Sequence, residues 1–178
     1  SRGDDELERF SGQLIWIDDE TCELSQILSG VRQSVRKNNT KIVFIDYLDY
    51  IEVSDSRLRD FDKIRVITKA LKRLARSLKI PVVLLCQLNR KIEDRDDKRP
   101  KMSDLRMSGG LEQDADVVLA LHRPSYYDAS DQPGDAEIHV LKQRGGMRGK
   151  FVTVEYKDVQ TRFVEKSVVE EYKFRPDF

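Results

Sequence analysis

Two short apolar runs separated by one long helical stripe constrain this chain more than any other feature. Residues 42–45 are Ile, Val, Phe and Ile, and residues 82–86 are Val, Val, Leu, Leu and Cys. Uninterrupted runs of this kind suit strands buried on both faces. Between them, Leu58, Phe61, Ile64, Ile67, Leu71, Leu74 and Leu78 recur at helical spacing, and Pro81 stops any helix before the second run. Strand, long helix, strand implies a right-handed crossover between parallel strands. Ahead of this unit, residues 13–17 read as a short strand, and Leu24, Ile27, Leu28, Val31 and Val35 as a helical face. Beyond it, residues 117–121 read as a further apolar strand. The pattern then changes to alternating strands over 137–141 and 151–156, joined at Gly145 and Gly146. The order predicts an α/β fold with a mostly parallel sheet and antiparallel strands at its C-terminal edge. Residues 123–136, with Pro124, Pro133 and Gly134, read as an exposed loop, and residues 170–178 as a loose tail.

The 178 residues fit one domain with a real core. Lys and Arg number 32 and Asp and Glu also 32, so no global field draws the chain to nucleic acid or membrane, and such binding must come from local loops. Cys22 and Cys86 are the only cysteines; Cys86, in an apolar run, reads as a buried reduced thiol. His122 and His139 have no metal-ligand spacing to either cysteine, which removes a zinc site, and both read as structural. No run is long and apolar enough to span a bilayer and no signal peptide opens the chain, so the expectation is a cytoplasmic protein without membrane contact. The opening Ser1-Arg2-Gly3-Asp4-Asp5 reads as a cut inside a longer protein, with residues 1–11 irregular.

Ligands of open α/β sheets bind at the carboxyl ends of the strands. Asp46 ends the first apolar run, where a carboxylate can hold Mg²⁺ through water while the ion bridges nucleotide phosphates; a strand-end Asp can equally cap the next segment. Gln87 ends the second run, where a neutral amide can touch a γ-phosphate or position water, or merely satisfy loop backbone. Residues 89–102 are dense in charge, with Arg90, Lys91, Arg95, Lys98, Arg99 and Lys101 among Glu93, Asp94, Asp96 and Asp97. This is either a solvated loop or a mobile loop that presents cations to a phosphate backbone. Arg106 with Gly109 and Gly110 offers a closer approach to phosphate through backbone N–H groups, although a turn needing positive φ explains the glycines as well. Lys142 and Arg144 flank Gln143 before a glycine turn. Cations there could reach a nucleotide on a neighbouring subunit, a role that can be worth roughly 10³–10⁵ in turnover, or form an ordinary basic hairpin. Gly145-Gly146-Met147-Arg148-Gly149-Lys150 is rejected as a phosphate loop. It has three residues between Gly145 and Gly149 where the motif has four, and Phe151 replaces the Ser or Thr that would bind Mg²⁺.

In this order the segments resemble the C-terminal motor domain of bacterial and phage replicative DNA helicases, the DnaB type. The resemblance is carried by Ile45-Asp46-Tyr47-Leu48, by Gln87-Leu88-Asn89-Arg90 with Asp97-Lys98-Arg99-Pro100, by Ser103-Asp104-Leu105-Arg106 through Glu112-Gln113-Asp114-Ala115-Asp116, and by Lys142-Gln143-Arg144. It implies a RecA-like P-loop NTPase core over residues 12–166, with the N-terminal part of that core missing and residues 167–178 as a tail. The same resemblance implies a homo-hexameric ring around single-stranded DNA that uses ATP and Mg²⁺ to translocate and separate strands. Asp46 is then the Mg²⁺-associated carboxylate and Gln87 the γ-phosphate sensor. Lys142 and Arg144 act in trans, and Arg90, Arg95, Lys98, Arg99, Arg106 and Gly109 face DNA. The family's phosphate loop and following glutamate would precede Ser1, so the chain alone is expected to bind ATP poorly and hydrolyse little. Met107 stands where family members often have Glu, and Gly110 where Ala is usual. Primase and a helicase loader are expected to be reached through other regions. Two alternatives stand beside this reading: a naturally truncated, non-catalytic RecA-like module for DNA binding or oligomerisation, and another RecA-type ATPase such as a recombinase.

Overall fold

A computed structural model describes residues 14–105, 109–146 and 149–166, and the backbone of a two-residue strand at Lys173–Phe174. The helices are α1 (Leu24–Asn38), α2 (Asp60–Leu78), α3 (Gly109–Asp114) and α4 (Pro124–Tyr127). The strands are β1 (Val43–Ile45), β2 (Val82–Leu84), β3 (Val117–His122), β4 (Asp135–Gln143), β5 (Lys150–Lys157), β6 (Arg162–Glu165) and β7 (Lys173–Phe174).

Helix α1 starts where the Glu23 carboxylate accepts from the Gln26 N–H at 3.1 Å, and it ends at Asn39 in the left-handed region, φ 57°. A side-chain acceptor at the N-cap and Asn at the left-handed position satisfy groups that a helix end leaves open. Helix α2 carries Asp60 and Asp62 in its first turn and Arg76 in its last, which suits the helix dipole. Its apolar stripe buries Ile64, Ile67, Leu71 and Leu74. Ile64, Ile67 and Leu71 pack with Leu24 of α1 and with Leu48, Ile51 and Leu111, against Ile45 of β1 and Val82, Leu84 and Cys86 along β2.

The crossover is as the periodicity predicts. β1 and β2 pair in parallel, with Val43 opposite Val82 and Ile45 opposite Leu84. Burial on both faces is not what the structure has. The helices sit against Ile45, Val82 and Leu84, while Phe44 is 65% exposed and Val83 and Leu85 remain open on the other face. The alternation is the geometric consequence of a two-residue side-chain repeat with cover on one side. β3, β4, β5 and β6 form a separate antiparallel sheet in that order, and β7 pairs with β5. Among the described residues, β2 pairs only with β1, and β3 only with β4, so each keeps one open edge. Val117, Leu119 and Leu121 of β3 are more than half exposed, a second row of apolar side chains left open.

Two sequence expectations change locally. Residues 14–17 lie exposed with no strand pairing; residue 13 lies outside the described residues. The stretch 123–136 is not all loop, since Pro124 opens the short helix α4 and Asp135 already begins β4. Proline suits that first helical turn because its missing N–H would have had no intrahelical partner. The β4–β5 turn contains Gly145 at φ 89°, and a Cβ on Gly146 would fall 2.3 Å from the Gln143 side chain. Gly145 to Lys150 thus joins two strands, whereas a phosphate loop joins a strand to a helix.

Candidate nucleotide and DNA site

Asp46 follows β1 directly and Gln87 lies three residues beyond the end of β2. Parallel pairing places both at the same, carboxyl end of the two strands. The pairing continues past the strands, as the Leu85 N–H donates to the Ile45 carbonyl at 3.0 Å and the Leu48 N–H to the Leu85 carbonyl at 2.9 Å. Both side chains are exposed, as groups that meet a ligand must be. The Asp46–Tyr47 peptide is cis, and beyond it a 3₁₀ turn over Leu48–Tyr50 returns the chain to the core through buried Leu48 and Ile51.

Among the described residues, no three His, Cys, Asp or Glu side chains converge as a metal cage would require. A single strand-end carboxylate nevertheless fits Mg²⁺, which keeps several waters and binds through one or two carboxylates plus substrate phosphates. Asp46 is the residue that would hold it.

Beyond Gln87 the chain forms a closed loop over 88–105. Its ends are pinned by a bridge between Leu88 and Leu105 and by the Asn89 N–H donating to the Asp104 carbonyl at 2.7 Å. Asn89 Oδ1 accepts from the Lys91 N–H at 3.1 Å and starts the 3₁₀ turn Arg90–Asp94. Inside the loop, Arg95 grips buried Asp104 with two bonds, Nη1 to Oδ1 at 3.0 Å and Nη2 to Oδ2 at 2.8 Å. Arg95 Nη2 also donates to the Arg99 carbonyl at 2.9 Å, and Lys98 Nζ donates to the Arg95 carbonyl at 2.9 Å.

Arg99 lies near Asp97 within the loop, at 3.7 Å, but makes its closest bonds outside it. Its Nε donates to Glu137 Oε2 at 2.8 Å and its Nη2 to Glu137 Oε1 at 2.9 Å. Glu137, on β4, is 2% exposed, and its Oε2 lies 2.7 Å from His139 Nε2. Burial alone would raise the Glu137 carboxyl. The hydrogen bonds from His139 and Arg99 outweigh it and bring the group down from 4.5 to about 2. The same pairing holds Arg99 above its ordinary value. His122, buried between Tyr127 and the edge of His139, is pushed below its ordinary value chiefly by burial.

Of the cations expected at DNA, then, Arg95, Lys98 and Arg99 make contacts within the chain, whereas Arg90 is exposed, as is its neighbour Lys91. Arg106 lies outside the described residues. Gly109 and Gly110 open α3, and neither has the positive φ of a turn glycine. What they permit is close approach to α2. A Cβ on Gly109 would meet the Phe61 ring at 3.3 Å, and one on Gly110 would meet Arg65 Cγ at 3.2 Å.

Lys142 and Arg144 gather at a different place, where β4 ends beside the α3–β3 junction. Lys142 Nζ donates to the Glu112 carbonyl, and the Arg144 N–H donates to the Asp116 carbonyl at 2.8 Å. The Asp116 carboxylate accepts from Lys72 and lies 3.8 Å from the Arg144 guanidinium, which is 79% exposed. The hydrogen bond from Lys72 keeps the Asp116 carboxyl low. Lys72, Lys142 and Arg144 all act on this one carboxylate, and Arg144 still presents most of its surface outward.

Sequence reasoning missed Glu137, and it cited Asp104 and Asp116 as carriers of the resemblance without giving either a role. The only signal for Glu137 is a Glu and a His two apart in a strand, Glu137 and His139, which alternation by itself reads as the solvent face.

Comparison with known proteins places this architecture. The family model described as the DnaB-like helicase C terminal domain matches residues 2–165. The replicative DNA helicase DnaB of Mycobacterium leprae is 41% identical over 160 residues, covering 88% of this chain and 26% of that protein. A probable plasmid replicative DNA helicase of Chlamydia psittaci is 44% identical over 129 residues, covering 72% and 28%. The chain thus spans about a quarter of the length of these relatives. Among solved structures, one described as an ATPase domain superposes with a TM-score of 0.85 at 36% identity, covering 92% of this chain and 59% of that one. A DnaB-like replicative helicase studied with primase gives 0.79 at 38%, covering 85% and 36%. The RadB recombinase, at 15% identity and 0.52, shares the fold alone.

Proposed function

We propose, from the premise that this chain belongs to the DnaB-like helicase C-terminal domain family, that it is part of an ATP-dependent replicative helicase that moves on single-stranded DNA. The observation that carries the reading is the placement of Asp46 and Gln87 at one end of adjacent parallel strands. On this reading residues 12–166 are the motor portion. Asp46 orients the water shell of a nucleotide-bound Mg²⁺, and Gln87 distinguishes a nucleotide that has its γ-phosphate from one that has lost it. Bound MgATP supplies the phosphoryl-transfer chemistry that such motors use. Lys142 and Arg144 neutralise phosphate charge on the nucleotide of a neighbouring subunit. Their gathering beside Asp116 rather than beside Asp46 supports action in trans.

The DNA side of the proposal centres on Arg90, with Arg106 and Gly109 following the loop; Arg95, Lys98 and Arg99 serve it as an internal frame. Residues 1–178 contain no acceptable phosphate loop, so ATP hydrolysis is assigned to the longer assembly that supplies one, working as a homo-hexameric ring in the cytoplasm. Contacts to primase or a loader are assigned to regions outside these residues.

The test is unwinding of a forked duplex by the full-length helicase carrying this domain. Asp46→Ala should abolish unwinding while the protein still folds and assembles, and normal unwinding by that variant would sink the assignment. Arg144→Ala should lose turnover alone and regain part of it in rings mixed with wild-type subunits. Full activity in unmixed Arg144→Ala rings would contradict the trans role.

A further inference from the structure

The loop over 88–105 is tied to the antiparallel sheet by one pair of groups that the proposed chemistry does not use. Arg99 reaches from the loop to β4 and makes two parallel bonds to Glu137. A fork-to-fork pair of this kind fixes direction as well as distance. Glu137 is 2% exposed and His139, which holds its other side, is also 2% exposed and stacks on Phe151 with ring centroids 5.0 Å apart. Pro100, next to Arg99, is among the largest fully buried side chains. The far end of the loop is therefore seated in the second sheet, while its near ends are bridged to each other directly after Gln87.

Inside, the Arg95–Asp104 grip divides the loop. The 3₁₀ turn, with Arg90 and Lys91 exposed and Ile92 buried, lies on the Gln87 side, and the seated segment with Arg99 lies on the β4 side. A charge-rich loop without such ties would sample many positions. This one is tied at its neck by Leu88 and Leu105, across its middle by Arg95 and Asp104, and to β4 by Arg99 and Glu137.

We propose that Glu137 is a positioning residue for nucleic-acid binding: acting through Arg99, it seats the 88–105 loop so that Arg90 and Lys91 stand at a fixed place relative to Gln87. The DNA half of this statement rests on the function proposed above; the seating half does not. The ligand class is the phosphate backbone of a single strand, since two neighbouring exposed cations recognise charge.

The experiment uses the 178-residue chain with Glu137→Gln, which removes the charge at constant size, and Arg99→Lys, which keeps the charge but loses the fork. Hydrogen exchange is followed at the loop amides of Asn89, Ile92 and Leu105, each of which is bonded within the loop. Glu137→Gln should speed exchange there about tenfold or more, the factor for losing one hydrogen bond to a charged group, with α2 amides changed far less. Leu74→Ala serves as the control for general destabilisation and should speed α2 as much as the loop. Binding of a fluorescein-labelled oligothymidylate is then measured against salt. The slope of log affinity on log salt should fall by about 1.4 in Glu137→Gln, the value for two phosphate contacts on a single strand, with Arg99→Lys between it and wild type.

Loop exchange unchanged in Glu137→Gln, or indistinguishable in pattern from Leu74→Ala, overturns the proposal. Selective loop exchange with an unchanged salt slope overturns its DNA half. A wild-type chain that seats the loop yet binds no oligonucleotide would overturn the DNA half and leave Glu137 as an anchor only.

Discussion

Removing the charge of Glu137 should cost stability in a way that fades as the pH falls. The carboxyl is held at about 2 against an ordinary 4.5, a ratio of about 300 in proton affinity, equivalent to roughly 3 kcal/mol of folding stability. The sign follows from the direction. A carboxyl depressed in the folded state stabilises at pH above 4.5 and loses that contribution as pH falls toward 2. Because Glu137 is 2% exposed, solvent screening reduces this little, and the figure agrees with about 3–5 kcal/mol for breaking a buried pair. Glu137→Gln should therefore lower the urea unfolding free energy by roughly 3 kcal/mol at pH 7. By pH 3 the deficit should shrink to less than half of that, about 1 kcal/mol. Urea titrations of wild type and variant between pH 7 and pH 3, followed by circular dichroism, read the difference directly. A deficit that stays constant across that range would refute the linkage, because it would assign the loss to shape or packing rather than to a charge paired with Arg99 and His139.

Two further outcomes follow from the packing. Gly110→Ala should be stabilising by about 0.5 kcal/mol in urea midpoints: alanine gains roughly 1 kcal/mol of helix preference, part of which offsets a contact at 3.2 Å with Arg65 Cγ, on a side chain exposed enough to move; a loss above about 1 kcal/mol would show that α2 and α3 cannot yield. The open apolar rows of β1 and β3 should bind the dye ANS in the 178-residue chain, and Phe44→Ser with Leu119→Ser, at positions 65% and 57% exposed, should reduce both dye binding and self-association with little change in midpoint; unchanged dye binding would place the accessible apolar surface elsewhere.

What the sequence made legible was decided by the range of the interactions involved. Helix α2 follows its stripe through to Leu78 because periodicity, first-turn acids and Pro81 are all local and agree. The strand-end placement of Asp46 and Gln87 was legible for the same reason: each closes an uninterrupted apolar run. Cover on one face was not, since an apolar run records what a strand can tolerate and says nothing of what lies against it. The glycine pair was ambiguous because a need for positive φ and a need for close approach leave the same residue; only the Phe61 and Arg65 contacts of Gly109 and Gly110 separate them. The charged loop marks the limit most clearly. Arg90 and Arg99 belong to one charge-rich stretch, and composition treats them alike. One is exposed and the other is held by an acid 38 residues away. Local acids such as Glu93, Asp94, Asp96 and Asp97 suggested a mixed, solvated run, whereas the partners that fix its shape, Asp104 and Glu137, lie at its end and outside it. Counting charges therefore overstates how many cations such a loop can offer a ligand. The useful number is what remains after carboxylates and carbonyls within the fold have taken their share, and of the loop cations Arg90 and Lys91 are the exposed pair to mutate first.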